Sequence, residues 1–361
     1  MKTGILLINL GTPDSASEKD VKKYLKQFLN DPYVIDINPV LRFFLVNFFI
    51  VPFRAPKSAA LYKKIWSAFG ESPLLFHTQN LAKKLQQSLG KEMPVEFGMR
   101  YQSPDIYSAF KKLINSGVEK IIAIPLYPQY ASSSTGSSII KLKKIMDKEK
   151  FYNVKIVEHF YRDENFVNAW TEIAKKYFFT TGEGNKGGAI DFFLFSYHGL
   201  PERQIFKECK KRGGTCNKIS DCEVKMHEKT GSGVGNPVNY CYRASCFETT
   251  RQLVKVLRIQ EGKYVTSFQS RLNDKWLKPY SDKVVEEKAK DGVKKMLVFS
   301  PAFVADCLET IYEIGVEYRE IFIKNGGKEL VLVDSLNDSD GWVEGLKKII
   351  INSDEISNTI L

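Results

Sequence analysis

The chain has 361 residues, of which 43% are hydrophobic and 26% charged, values that exclude disorder as the default and leave room for two domains or one large one. With 53 Lys and Arg against 42 Asp and Glu the net charge is +11, which points to an acidic partner such as nucleic acid, anionic lipid or a carboxylated small molecule. The lysines are scattered through helical stretches rather than massed in a tail, so a solvated basic surface reads equally well.

Met1-Lys2-Thr3 runs straight into a strand-like segment with no cleavage site, so the expected location is the cytoplasm. In that compartment six cysteines argue against a disulfide framework, and the crowding of five of them between Cys209 and Cys246 favours a metal or a cluster.

Apolar, β-branched or aromatic runs predict strands at Gly4 to Leu10, Pro94 to Met99, Lys120 to Leu126, Val154 to Glu158, Ala189 to Ser196, Tyr264 to Gln269, Lys295 to Ser300 and Glu329 to Asp334. Helical periodicity lies between them, as at Ser103 to Ser116 and Tyr280 to Asp291. Alternation of this kind reads as parallel α/β sheets. The first choice is two doubly wound, Rossmann-like domains facing each other across a cleft, and the second an eight-stranded barrel. The expected division is 1–158 with 337–361 returning, and 159–336 carrying a cysteine-rich insert at 204–246. Ligands then gather at the C-terminal ends of the strands.

One segment breaks the pattern: Leu41 to Phe53 reads LRFFLVNFFIVPF, with a turn expected at Pro52. It is shorter than the roughly 20 apolar residues a membrane span needs. A core helix is one reading. The aromatic content, with Arg42 at one end and Arg54 and Lys57 at the other, favours a lip that dips into a membrane interface or covers an apolar ligand.

Two constellations carry chemistry. In FFLFSYHGLPER, His198 is expected two residues past a strand and held by the Gly199 and Pro201 turn, pointing into the ligand-bearing crevice. In SPAFVADCLETIYEIGVEY, Asp306, Glu309, Glu313 and Glu317 are spaced to share one helical face. Four carboxylates in a column repel one another, so the choice lies between a solvated acidic face and a path for a cation or protons.

The stretches INLGTPDS, YKKIWSAFGESPL, GMRYQSPDI, PLYPQYASSSTGS, SYHGLPER, FQSR and SPAFVADCLETIYEIGVEY together resemble the ferrochelatase family, in the family's order and across nearly the whole chain. The resemblance implies two Rossmann-like domains with a porphyrin cleft between them and no bound nucleotide. GTPDS after the first strand agrees, since it lacks G-x-G-x-x-G spacing.

The implied activity is insertion of ferrous iron into protoporphyrin IX, the last step of haem synthesis, with His198 and Glu309 as the central pair. The implied partners are porphyrin and iron as substrates, with no nucleic acid, a peripheral membrane surface on the inner face, and contact with the preceding oxidase of the pathway.

The chemistry asks for these residues. Two pyrrole protons must leave and a hydrated ion must shed its waters, so a base and oxygen or nitrogen ligands must face the ring. Neutral His198, with an ordinary pKa of about 6.5, accepts protons near neutral pH. Glu309 and Asp306 relay protons or present the metal, and Glu313 and Glu317 continue outward. Imidazole and carboxylate both suit ferrous iron, although zinc, cobalt and copper compete.

Arg54, Arg100, Tyr101, Tyr130, Ser132 and Ser137 resemble positions that hold the porphyrin and its propionates. Arginine suits carboxylate through its two-pronged fork. Leu10 and Phe303 resemble positions packed on the ring. Cys307 stands where animal members carry a histidine, which weakens any transfer role there.

The insert holds Cys209, Cys216, Cys222, Cys241 and Cys246. Four thiolates suit zinc or a [2Fe-2S] centre. Some family members carry such a cluster, and the expected ligands are Cys216, Cys222, Cys241 and Cys246, with Cys209 spare. A cobalt chelatase acting on a more carboxylated tetrapyrrole and a haem or iron carrier are the competing readings, and the apolar lip leans toward protoporphyrin over coproporphyrin.

Overall fold

The structure, a computed structural model, describes residues 2–66, 70–179, 190–214 and 240–358. The chain divides into two compact units, one of Met1–Tyr127, Ala131–Glu158 and Asn337–Leu361, the other of Pro128–Tyr130 and His159–Leu336.

The first unit is built on a four-stranded parallel sheet of β1 (Thr3–Gly11), β2 (Val95–Tyr101), β3 (Lys120–Pro125) and β4 (Val154–Ile156), in the order β2-β1-β3-β4. β1 and β3 are buried along nearly their whole length, as the continuous runs ILLI and KIIAIP require of central strands covered on both faces. On one face, Ile106, Ala109, Phe110 and Leu113 of the helix Ile106–Asn115 recur at helical spacing and pack with Leu142 and Ile145 against Leu6, Ile8, Ile121 and Ala123. Each of the buried Leu, Ile and Phe side chains contributes roughly 1.5–3 kcal/mol relative to exposure. Asp105 caps that helix by accepting from the Ser108 N–H at 2.9 Å.

The second unit repeats the plan. β5 (Phe192–His198), β6 (Tyr264–Gln269), β7 (Lys295–Phe299) and β8 (Glu329–Leu332) form a parallel sheet in the order β6-β5-β7-β8. The helix Ser281–Lys290 buries Val284, Val285 and Ala289 against Met296 and Val298. In both sheets the order reverses beside the first strand, between β1 and β3 and between β5 and β7. A crevice opens outside the carboxyl ends of strands at such a reversal.

Two elements differ from expectation. β5 runs on to His198, because His198 pairs in register with Gln269 of β6, so the histidine ends the strand instead of following it. Pro52 makes no turn. Helix continues from Pro39 to Trp66, 28 residues long, through a π-helical stretch at Leu45–Ile50. The widened turn just before Pro52 gives its ring, and the carbonyls it leaves unpaired, room inside the helix.

Two further π-helical stretches, Ser132–Gly136 and Glu309–Tyr318, fall on the hydroxyl run and the acidic segment. Such stretches are rare and concentrate at functional sites.

Candidate active site

The carboxyl ends of the second sheet position the central histidine. His198 is half-buried at the end of β5, the strand beside the reversal. Its Nδ1 lies 2.7 Å from the Gly199 carbonyl. A carbonyl only accepts, so Nδ1 carries the hydrogen and the lone pair of the neutral ring is on Nε2. The Tyr242 hydroxyl donates to the His198 carbonyl at 2.8 Å, and the Phe303 ring lies 6.3 Å from the imidazole at 57°. Gly199 permits close approach of β6: a Cβ there would stand 2.7 Å from the Gln269 carbonyl oxygen.

The acidic segment departs from a four-carboxylate column. Asp306 precedes the helix and is buried, its Oδ1 accepting from Thr310 Oγ1 at 2.9 Å and its Oδ2 from the Ser335 N–H at 3.3 Å. It serves the helix entry, where unpaired donors need an acceptor.

Glu309 opens the π-helical stretch, half-buried, and Glu317 is exposed. The Glu313 carboxylate accepts from the Ser270 N–H at 2.8 Å, Ser270 Oγ at 2.5 Å, the Tyr318 hydroxyl at 2.9 Å and Gln269 Nε2 at 3.3 Å. Among the described residues no three His, Cys, Asp or Glu side chains converge to hold a metal, so His198, Asp306, Glu309, Glu313 and Glu317 do not form a ready-made ion site within this unit. Hydrogen bonding inward draws Asp306 and Glu313 away from it. Cys307 is buried beside Glu309, and burial with that neighbouring carboxylate pushes its thiol well up, leaving it protonated.

Gln269, to which sequence reasoning gave no role, ties these parts together. It is 1% exposed; its Nε2 donates to the Glu309 carbonyl at 3.0 Å, and its Oε1 accepts from Ser196 Oγ at 2.8 Å. FQSR marked the segment but carried no sign of which side chain faced inward.

In the first unit, Leu10 is half-buried near the end of β1, and Gly11, at φ +102°, takes the backbone where a side chain would strike the Tyr101 carbonyl. Arg100 and Tyr101 end β2. They meet Ser137 at a buried carboxylate, Asp31, whose Oδ2 accepts from Arg100 Nη2 at 2.5 Å, Tyr101 Oη at 2.8 Å and Ser137 Oγ at 2.6 Å. Arg100 Nε also donates to Ser137 Oγ at 2.7 Å.

Arg100 therefore does not offer its whole fork to a ligand, since Asp31 and Ser137 already take Nη2 and Nε. Burial pushes the Tyr101 phenol up, so it stays a donor. Asp31 was missed because an aspartate in NDPY is indistinguishable from an ordinary turn residue. It is one as well, accepting from the Tyr33 N–H at 2.8 Å.

Ser132 is half-buried at the start of its π-helical stretch and Arg54 is exposed on the long helix. Tyr130 is buried in the second unit, with Arg212 4.5 Å above its ring and Tyr240 5.4 Å from it edge-on.

Of the four expected cluster ligands, Cys241 and Cys246 fall among the described residues. Cys216 and Cys222 lie outside the described residues. Cys241 is buried at the start of the helix Tyr242–Leu257, and Cys209 is buried on Glu202–Lys211. Cys246 is fully buried, and burial pushes its thiol well up.

The fold is shared with solved chelatases. SirB from Bacillus subtilis with Fe3+ superposes with a TM-score of 0.54 at 11% identity, covering 100% of this chain and 98% of that one. The sirohydrochlorin chelatase SirB from Bacillus subtilis subspecies spizizenii, in complex with cobalt, gives 0.55 at 10% identity with the same coverage.

At the level of sequence, the family model Ferrochelatase matches residues 2–354. A ferrochelatase of Legionella pneumophila (strain Paris) is 40% identical over 354 residues, 97% of this chain and 99% of its own. One of Coxiella burnetii (strain Dugway 5J108-111) is 39% identical over 350 residues, 96% and 93%. The chain belongs to the ferrochelatase family, and is thus an enzyme of the metal-chelatase class.

Proposed function

We propose that this enzyme inserts ferrous iron into protoporphyrin IX to form protohaem, with His198 taking the pyrrole protons and Glu309 serving beside it. The observation that carries the reading is the placing of His198 at the carboxyl end of β5, where the strand order reverses, with its Nε2 lone pair free of the Gly199 carbonyl. Two protons must leave the macrocycle as the ion enters. An imidazole fixed in one tautomer takes them without reorienting. Glu309, held through its own carbonyl by Gln269, presents a carboxylate to the incoming ion or passes protons outward. Ser132 and the part of the Arg100 fork that Asp31 and Ser137 leave over are the donors in the first unit that would suit a propionate.

An anaerobic assay tests this. Protein, ferrous iron and protoporphyrin are mixed, and loss of porphyrin fluorescence is followed with gain of the haem spectrum, His198→Ala run in parallel. Turnover by the parent and none by the variant is expected. Binding without turnover in both, also with coproporphyrin and with cobalt, would leave only a carrier.

The porphyrin's poor solubility extends the proposal to a cytoplasmic enzyme resting on the inner face of the membrane and receiving substrate from the preceding oxidase. What supports it is the long helix: Phe43, Phe44, Phe48, Phe49 and Phe53 are all more than half exposed, while Val51, Ala55, Ala59 and Tyr62 bury its other side. Length and composition would suffice for a span, but a helix docked along one side on its own unit suits an interfacial position better.

A [2Fe-2S] cluster in the insert is a separate proposal, supported by the crowding of cysteines and by the family resemblance. It would draw on Cys216, Cys222, Cys241 and Cys246, with Cys209 spare. No step of metal insertion depends on it. Iron and acid-labile sulfide assayed in anaerobically purified protein decide the matter, and the absence of sulfide removes the cluster.

A further inference from the structure

We infer that Glu313 is a positioning residue that fixes Gln269, and through it Glu309, instead of carrying metal or protons along the acidic segment. The inference rests on the chelatase reading of this site and assigns one residue within it a different role.

A carboxylate has room for about four hydrogen-bond donors. Glu313 accepts from four, namely the Ser270 N–H and Oγ, the Tyr318 hydroxyl and Gln269 Nε2. A group so occupied has no lone pair ready for a passing ion, and delivering a proton would cost it the bonds that hold it.

What it holds is specific. Ser270 follows the end of β6 with φ at +60°, a left-handed conformation that serine adopts only when its surroundings impose it. Both the N–H and the hydroxyl of this residue are taken by Glu313, which secures the turn. Gln269, the residue before, then spans three elements: Ser196 on β5, the Glu309 carbonyl at the start of the π-helical stretch, and Glu313 one turn further on. His198 pairs with Gln269 across β5 and β6. His198, through the backbone pairing, and Glu309, through its carbonyl, are thus both referenced to Gln269, and Glu313 secures the turn that follows it.

Isosteric substitution separates the two roles. In Glu313→Gln the remaining oxygen still accepts from the Ser270 N–H and Tyr318, and the Ser270 hydroxyl turns to accept from the new amide. The weak 3.3 Å contact with Gln269 is lost, while the amide bond to Glu309 stays. Glu313→Ala removes all four bonds.

For a positioning role, the glutamine variant keeps kcat within about threefold, as expected for loss of one weak bond. Glu313→Ala and Gln269→Ala each lower kcat about tenfold or more, with KM for ferrous iron unchanged. A glutamine variant as impaired as the alanine one, with KM for ferrous iron raised, would overturn the inference, and so would full activity in Glu313→Ala. Should the alanine variant not fold, Glu313→Gln and Gln269→Ala decide alone. Failure of the parent enzyme to turn over would strike the chelatase reading, which the parent assay reports separately.

Discussion

The Asp31 carboxylate holds the Arg100 guanidinium in a buried pair, Nη2 to Oδ2, with the aspartate side chain only 2% exposed and the arginine 19%. This contact turns a residue expected to grip a propionate into one already half engaged. Removing one member of a buried pair leaves the other uncompensated and costs about 3–5 kcal/mol. Asp31→Ala should lower the urea midpoint accordingly. It should also raise KM for porphyrin, because Arg100, Tyr101 and Ser137 lose the group that orients them. An unchanged urea midpoint would show that the pair is not formed in solution.

Gly199→Ala should impair the enzyme without touching any functional side chain. The new methyl would sit 2.7 Å from the Gln269 carbonyl and 3.3 Å from the Trp276 ring, so β5 and β6 must part where His198 and Gln269 pair. Overpacking of this kind costs about 1–3 kcal/mol. The expected outcome is a fall in kcat larger than any rise in KM, with a modest loss of thermal stability. A variant with wild-type kcat would mean that His198 does not depend on this close approach.

His159 makes the second unit sensitive to acid. Burial chiefly, then the charges of Arg162 and Arg212, depress its pKa from 6.5 to about 4. The folded form therefore favours the neutral ring, and between pH 6.5 and 4 the unfolded chain binds more protons. The stabilisation is present above pH 6.5 and lost as pH falls toward 4, a difference on the order of 3 kcal/mol. Urea denaturation at pH 7.5 and 4.5 should show the loss, and His159→Gln should lose less over the same interval. Equal losses in both proteins would refute the assignment.

The exposed phenylalanines should matter to the membrane and not to the fold. Phe49 and Phe53 are 65% and 73% exposed, so Phe49→Ser with Phe53→Ser should shift stability by no more than about 0.5 kcal/mol each. Flotation with vesicles of anionic phospholipid should show the parent bound and the double variant released. Retention of the variant would point to the basic surface alone as the membrane contact.

Much of the architecture was legible along the chain. Runs such as ILLI and KIIAIP have no polar face, so as strands they must be covered on both sides, and the helical spacing between them supplies the cover. SYHGLPER and the acidic segment stood out as candidates too, since chemistry-bearing residues beside strand ends contrast with apolar runs. The column of carboxylates was not. Spacing reports which residues share a helical face, but not where the helix begins, and Asp306 lies before it.

The sequence by itself determined the strands and the family, because each depends on local pattern or on a long ordered match. The tertiary structure alone decided how the polar groups are spent. Asp31 meets Arg100 across 69 positions and Gln269 meets Glu309 across 40. Such bonds are set by strand order and by which buried donors need acceptors, and nothing in the spacing of residues along the chain records that need.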